Sequence, residues 1–250
     1  MPEGPAIFIL TEEAQVFKGQ EILEASGNAT KFDVAELPGK KITDIKSWGK
    51  LFFLSFDGFF LRIDLMMFGN YRIHELKEGA KPRLTLTFKN GTLSFYSCSI
   101  LRFEMSPDAV YDYTADVMNP KWSGEKAIKK LMQHPEIMVC DALLDQDIFS
   151  GVGNIIKNEV LYRINVHPET LLEALPDNKL RELVNEAVRY SFDFLKWKKE
   201  FALKKHWLIH SRRKCKRCNL VAHKSYLGKT KRRTFYCDNC QVLYLPATPD

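Results

Sequence analysis

The sequence predicts an α+β protein in which a β-rich N-terminal part is followed by a helical part and a short cysteine-bearing tail. Three observations predict this class. Apolar residues alternate with polar ones through much of the first hundred residues, and further along they recur at helical spacing. Near the end, four cysteines fall into two closely spaced pairs. At 250 residues, the chain is long enough for one large domain or two modest ones.

The β-rich part contains two hairpin signals. In LFFLSFDGFFLRIDL, two apolar runs flank Asp57-Gly58, a dipeptide typical of tight turns. In RLTLTFKNGTLSF, apolar residues alternate on both sides of Asn90-Gly91, which predicts a second turn and a sheet with one buried face. We therefore expect several antiparallel strands in this part.

The pattern becomes helical after Asn119-Pro120. Ser123 is a candidate N-cap for a first helix, and a second helix is expected around residues 139–144. A longer helix should follow Pro176-Asp177, because apolar residues recur every three or four positions as far as Leu195.

Positive charge is concentrated near the C-terminal end. Residues 196–233 contain fifteen lysines and arginines but a single acid, Glu200, whereas the whole chain carries a net charge of only +6. Such clustering favours a polyanion such as nucleic acid as partner, although a solvated basic face or a membrane-surface patch would look similar. No apolar run is long enough to cross a bilayer, and Ala6–Leu10 lacks a basic leader. We expect an intracellular protein, in the cytoplasm or nucleoid if it is bacterial.

The tail contains a candidate metal site. Cys215-x-x-Cys218 and Cys237-x-x-Cys240 offer four thiolates from two tight turns, a set that suits a tetrahedral, structural Zn²⁺. Two disulfides or unlinked thiols are the alternative, and an intracellular location disfavours disulfides. Between the pairs, HKSYLGKTKRRTFY predicts two strands around Gly228, which would form a basic hairpin.

A glycine-rich turn precedes one of the central helices. Gly151-Val152-Gly153-Asn154 interrupts one helical pattern and opens another, so backbone N–H groups and the Asn154 amide could contact a phosphate. Such turns also serve simply to let helices pack. Glu159, on the new helix, could be functional or could form an ordinary ion pair.

Four stretches, in this order, resemble the formamidopyrimidine-DNA glycosylase and endonuclease VIII family of base-excision repair enzymes. They are MPEGP at the start, WGKLFF around Lys50, LLDQ…SGVGNI…NEVL in the middle and CxxC…RRTFYCDNCQ at the end. Their order and spacing are those of the family, and the resemblance covers nearly the whole chain. Within the family, the chain looks closer to endonuclease VIII-like members.

The resemblance implies catalytic roles for Pro2, Glu3 and Lys50. In the family the initiator Met is removed and the proline becomes the N-terminus, so Pro2 would carry a secondary amine less basic than a lysine side chain. This amine can attack C1′ of a damaged nucleotide, displace the base and form an iminium link to the sugar, after which the strand breaks by elimination. Glu3 would act as general acid–base, and Lys50 would contact DNA close to the active site.

The resemblance also implies DNA contacts elsewhere. Asn154 and Arg232 correspond to residues that bind phosphates in the family. Met66, Met67 and Phe68 match the family loop that inserts side chains into the duplex when the damaged base leaves the stack. The alternative for this loop is a core strand that ends in a hairpin.

Three positions depart from the family pattern. Ala6 stands where endonuclease VIII relatives usually have a second acid, and Asp64 replaces a histidine found before the loop in many 8-oxoguanine-type members. Leu101 takes the place of an intercalating arginine. The chain is also short for a long purine-capping loop. The missing arginine at position 101 and the absence of room for that loop favour oxidised pyrimidines as substrates, whereas Ala6 could alter nucleotide positioning or rate.

The fold that the resemblance implies has two domains. They are an N-terminal β-sandwich with flanking helices and a C-terminal helical domain with a helix-two-turn-helix motif and a zinc-bound β-hairpin, with DNA across the cleft between them. The expected ranges are a catalytic β-sandwich domain at 1–118, a helical DNA-binding domain at 119–210 and a zinc finger at 211–250.

The predicted function is that of a bifunctional DNA glycosylase and abasic-site lyase in DNA repair. The expected partner is damaged double-stranded DNA, the expected cofactor is one structural Zn²⁺ per chain, and the protein should be a monomer without a membrane or small-molecule cofactor. Two alternatives remain. Ala6 admits a non-catalytic DNA-damage-binding protein on the same scaffold, and an 8-oxoguanine/formamidopyrimidine-type glycosylase is the other.

Overall fold

The computed structural model describes residues 2–246 and divides the chain into two compact units, Met1–Asp112 and Tyr113–Asp250. The first unit begins with a helix that is followed by eight strands: α1 (Gly4–Ala14), β1 (Glu24–Ser26), β2 (Asp44–Trp48), β3 (Leu51–Ser55), β4 (Phe60–Asp64), β5 (Asn70–Ile73), β6 (Leu84–Phe88), β7 (Gly91–Tyr96) and β8 (Ser99–Phe103). The predicted ranges 1–118, 119–210 and 211–250 stay a prediction.

The strands of the first unit form two antiparallel four-stranded sheets. Their orders are β1-β6-β7-β5 and β2-β3-β4-β8. Apolar side chains of both sheets and of α1 share one hydrophobic core, in which the rings of Phe52 and Phe95 lie 5.8 Å apart. Burial of this apolar surface is the main force that holds the sheets and α1 together.

Both predicted hairpins are present, and one turn differs by a residue. β3 and β4 flank Asp57-Gly58 as predicted. In the second hairpin, Phe88 pairs with Gly91, so the turn residues are Lys89 and Asn90 rather than Asn90 and Gly91. Gly91 has a φ of 141°, a conformation that favours glycine, and it begins β7.

The second unit contains four α-helices and one hairpin among its described residues. They are α2 (Gly124–Leu131), α3 (Val139–Ala142), α4 (Asn154–Arg163), α5 (Asp177–Lys199), β9 (His223–Leu227) and β10 (Arg232–Tyr236). The Ser123 hydroxyl accepts a hydrogen bond from the Lys126 amide at 3.3 Å, which confirms the predicted N-cap. Pro176 immediately precedes α5, as its rigid φ and missing N–H lead one to expect.

Among the described residues, none of the helices combines the length and the apolar character that crossing a bilayer requires.

Candidate active site and DNA interface

Pro2 and Glu3 immediately precede the first turn of α1. Glu3 is the N-cap residue, and its carbonyl accepts the Ala6 amide at 2.8 Å, while its side chain makes no capping hydrogen bond. The Glu3 side chain is nonetheless buried, with 3% of the residue exposed. A carboxylate at the positive end of a helix is stabilised electrostatically. Pro2 and Glu3 thus lead directly into a helix of the folded unit.

Lys50 lies on the two-residue turn between β2 and β3. Gly49, with a φ of 54°, supplies the left-handed backbone that the first position of such a turn needs. The Trp48 indole donates to the Asp112 carbonyl at 2.9 Å and so anchors one side of the turn. Because α1 packs against both β2 and β3, Lys50 and the Pro2-Glu3 pair belong to neighbouring elements.

Three apolar side chains project from the turn between β4 and β5. Met66 and Met67 are each 51% exposed and Phe68 is 80% exposed. Exposed apolar side chains in a row are unusual because they gain nothing from burial in the folded chain. The alternative of a core position is therefore excluded for these three residues.

The same turn is held by two local contacts. The Asp64 carboxylate accepts the Met66 amide at 2.7 Å, and the Gly69 amide donates to the Leu65 carbonyl at 2.7 Å. A Cβ on Gly69 would lie only 2.1 Å from the Leu65 oxygen, so the turn requires glycine there. Asp64 thus has a structural task in this chain, closing the turn that displays the apolar side chains.

Arg102, next to Leu101 on β8, is committed to contacts inside the first unit. Its guanidinium pairs with Glu36 and Glu104 at 2.5 and 2.6 Å and lies 4.0 Å from the centre of the Phe59 ring. An arginine held in this way is not available to replace the missing intercalating arginine at position 101. Among the described residues of the first unit, the Met66–Phe68 turn is therefore the candidate for insertion into the duplex.

In the second unit, Asn154 joins the start of α4 to the hairpin. Its side-chain amide donates to the Arg233 carbonyl at 2.8 Å, beside Arg232, which begins β10. Asn154 and Arg232, the two residues predicted to bind phosphates, therefore lie near each other. The preceding glycine-rich turn is held by Gln146, whose side chain accepts the Gly151 amide and donates to the Val152 carbonyl.

The hairpin tip is anchored by a residue that sequence reasoning missed. The Asp141 carboxylate, on α3, accepts the Lys229 amide at 2.6 Å and the Thr230 hydroxyl at 3.1 Å. A Cβ on Gly228 would lie 2.4 Å from this carboxylate, so the tip approaches α3 closely only because residue 228 is glycine. Nothing in the local sequence links positions 141 and 229.

Glu159 is fully buried and structural. Its carboxylate accepts backbone amides from Leu208, Ile209 and His210 at 2.8 to 3.0 Å. Hydrogen bonds of this kind stabilise a buried carboxylate in place of water. They attach the segment after α5 to α4. Arg163 lies 3.7 Å from the same carboxylate, so the ion-pair alternative for Glu159 is present, together with these structural hydrogen bonds.

The four cysteines of the tail form a cluster. Their sulfur atoms all lie within 4.8 Å of one another, with Cys215–Cys240 at 3.7 Å and Cys218–Cys237 at 3.6 Å. Zn–S bonds of about 2.3 Å in a tetrahedron place sulfurs about 3.8 Å apart, whereas a disulfide needs about 2.05 Å. The cluster could bind a metal such as zinc, and its geometry excludes disulfides between these cysteines.

Tyr162, on α4, reaches one of the cluster's sulfurs. Its hydroxyl lies 3.0 Å from the Cys215 sulfur and accepts the Arg217 amide at 3.1 Å. Burial alone would raise the pKa of Cys215, but hydrogen bonds from Tyr162 and from neighbouring amides lower the pKa to about 6. The thiolate form, which binds metals, is therefore favoured at this position.

The comparisons with known proteins agree with this arrangement. Residues 1–102 match the formamidopyrimidine-DNA glycosylase N-terminal domain, and residues 116–191 match the H2TH domain of the same glycosylase. Mouse endonuclease 8-like 3 is 29% identical over 246 residues, covering 95% of this chain and 40% of the relative. Mouse endonuclease 8-like 2 is 32% identical over 195 residues, covering 72% of this chain and 57% of the relative. The chain thus spans less than two thirds of these two relatives.

Solved structures show the same fold. The Lactococcus lactis formamidopyrimidine DNA glycosylase, solved with DNA that contains an AP site, superposes with a TM-score of 0.82 at 23% identity, covering 96% of this chain and 99% of that one. A viral DNA glycosylase gives a TM-score of 0.84 at 21% identity, with 96% and 100% coverage. These likenesses show the fold, and the two domain matches, over residues 1–102 and 116–191, show that the chain belongs to the formamidopyrimidine-DNA glycosylase and endonuclease VIII family of DNA repair glycosylases.

Proposed function

We propose that the protein is a bifunctional DNA glycosylase and abasic-site lyase that excises oxidised bases, pyrimidines in preference to purines. The observation that carries the proposal is the position of Pro2 beside the buried Glu3 at the start of α1, within the part that matches the family's N-terminal domain. The substrate is damaged double-stranded DNA, in keeping with the basic segment 196–233.

The chemistry requires that Met1 be removed so that Pro2 presents a secondary amine. The nitrogen lone pair attacks C1′ of the damaged nucleotide, the bond from C1′ to the base breaks, and the base leaves with a proton. The nitrogen lone pair then opens the sugar ring: the C1′–O4′ bond breaks, O4′ takes a proton and C1′ becomes the iminium carbon. The iminium withdraws electrons and acidifies the protons on C2′. Loss of one of these protons then breaks the bond from C3′ to oxygen and expels the 3′ phosphate. Glu3 transfers protons during sugar opening and elimination, for which a carboxyl group held by the fold is suited.

The remaining predicted residues bind the substrate. Lys50 contacts DNA near the reacting nucleotide, Asn154 and Arg232 bind phosphates, and the Met66–Phe68 turn fills the space left by the extruded base. The four cysteines would hold one Zn²⁺, which crosslinks the tail so that the basic hairpin keeps its shape. The preference for pyrimidines is supported by Leu101, which stands in place of the intercalating arginine. It is also supported by the ion pairs of Arg102 with Glu36 and Glu104, which keep Arg102 from replacing that arginine.

Borohydride trapping on an oligonucleotide with an abasic site tests the nucleophile. We expect a covalent adduct with the wild type, none with Pro2→Gly, and a loss of at least about 100-fold in the elimination rate with Glu3→Gln. Glu12→Gln, an exposed glutamate of the same helix, is the matched control and should trap normally. Duplex binding without any adduct would instead support the damage-binding alternative that Ala6 admits.

Competition among lesion duplexes tests the substrate preference. Thymine glycol and 5-hydroxyuracil should be excised faster than 8-oxoguanine opposite cytosine. The reverse order would contradict the pyrimidine preference and leave the glycosylase proposal intact.

A further inference from the structure

An aromatic side chain stands fully exposed just beyond the end of α5. Phe201 is 97% exposed, the largest fraction among the exposed large hydrophobic residues of the described chain. Its backbone has a φ of 55°, in the left-handed region. Bulky residues rarely adopt this conformation.

The backbone hydrogen bonds around Phe201 account for its positive φ, but they do not account for a phenylalanine at this position. The Phe201 amide donates to the Lys198 carbonyl at 3.1 Å, and the Ala202 amide donates to the Trp197 carbonyl at 2.8 Å. This pair of bonds is the Schellman motif that closes many helices, and its left-handed position is most often glycine. The backbone of a phenylalanine is strained in this conformation. A side chain that is 97% exposed gains no packing free energy to offset the strain. Glycine would serve the fold better, so the aromatic ring serves something other than folding.

The surroundings of Phe201 indicate the chemistry of its partner. Five exposed lysines lie on either side of it in sequence: Lys196, Lys198, Lys199, Lys204 and Lys205. The segment that contains Phe201 is closed by a contact between residues on its two sides, since the rings of Trp197 and His206 stack at 4.1 Å and nearly in parallel. An exposed aromatic ring on a hydrogen-bonded backbone turn, flanked by cations, suits a polyanion that offers flat apolar faces, and that is a nucleic acid.

We propose that Phe201 stacks on the face of a nucleobase that has left the base stack, while the lysines beside it bind the adjoining phosphates. The proposal rests on the proposed function only in taking DNA as the partner. It assigns the end of α5 a base contact that is additional to the Met66–Phe68 turn.

Replacement of Phe201 by glycine separates this role from folding. Phe201→Gly should raise the unfolding temperature by a few degrees, because glycine relieves the backbone strain. The same variant should bind a single-stranded oligonucleotide about fivefold or more weakly, the usual loss when one stacking partner is removed. The slope of log K against log salt should not change, since stacking neutralises no phosphate. The matched variant Lys204→Ala should reduce that slope by about 0.7.

Photocrosslinking gives a direct second readout. An oligonucleotide that carries 5-iodouracil should crosslink to the peptide containing Phe201, and Phe201→Trp should retain both the crosslink and the affinity. Unchanged DNA binding by Phe201→Gly would overturn the proposal, as would weakened binding to anionic vesicles with DNA binding intact. Borohydride trapping of the wild type reports on Pro2 alone, so failure of the base contact and failure of the glycosylase proposal are distinguishable.

Discussion

Single side chains determine the conformation of the candidate DNA-contacting turn at Met66–Phe68. Asp64 is the clearest case, because its carboxylate accepts the Met66 amide and Met66 adopts a φ of 52°. One hydrogen bond thus maintains a strained residue in the turn that we propose to enter the duplex. Such a bond to a charged acceptor contributes roughly 1.5–3 kcal/mol.

Asp64→Ala should therefore weaken lesion processing without unfolding the protein. We expect kcat/KM on a lesion duplex to fall about tenfold, since the turn must then be ordered at the expense of binding free energy. Asp64→Asn keeps an acceptor oxygen and is the matched control, with a loss of less than about threefold expected. Equal activity of the alanine variant and the wild type would contradict the role assigned to Asp64.

At the scale of elements, α4 organises much of the second unit. Asn154 binds the β10 backbone, Lys157 donates to the Thr234 hydroxyl at 2.8 Å, and Glu159 binds the segment that follows α5. Tyr162 packs in the small core of the tail together with Ile209, a core that the tail could not form alone. The predicted hairpin and cysteine cluster are therefore built onto α4.

Tyr162→Phe should weaken metal binding while leaving the four cysteines in place. Loss of a hydrogen bond to a ligand commonly costs 10- to 100-fold in metal affinity. We expect a decrease of that order in competition with a chromophoric zinc chelator. Tyr226→Phe, an exposed tyrosine of β9, should leave the affinity unchanged. An unchanged affinity in Tyr162→Phe would show that its hydroxyl contributes nothing to the site.

The elements that sequence predicted well are those with local signals. The hairpin around Gly228, the Ser123 cap and the helix after Pro176 follow from turn, capping and periodicity rules. The cysteine cluster was predictable because ligand spacing is a local property. Asp141, Glu159 and Tyr162 were not assigned these roles, because their partners lie about 50 to 90 positions away and no local rule connects them. The length of α1 was not predicted either, since the apolar run at Ala6–Leu10 shows no clear helical period.

At the scale of the whole molecule, stability should depend on pH through one buried histidine. Burial, followed by the charges of Arg233 and Lys157, lowers the pKa of His210 to about 4. The neutral ring lies 3.0 Å from the Asn158 amide, which can donate to it. In the unfolded chain the pKa of histidine is about 6.5. The unfolded state therefore binds more protons between these two values.

Stability should consequently fall as the pH decreases from about 6.5 towards 4, by up to about 3 kcal/mol. Unfolding by urea at pH 7 and pH 5 measures the loss. His210→Gln should unfold more readily at pH 7 but lose less stability on acidification than the zinc-loaded wild type does. Protonation of the cysteines affects both proteins, so identical pH dependence in the two would exclude His210 as the origin.

The Met66–Phe68 turn also has a chemical liability. Two thioethers stand half exposed at its tip, and peroxide converts such groups to polar sulfoxides. A sulfoxide inserts between bases less favourably than a thioether, because its polar oxygen must lose its water when it enters the base stack. The oxidants that create the proposed substrates would thus also inactivate the turn that detects them, and methionine sulfoxide reductase would restore it.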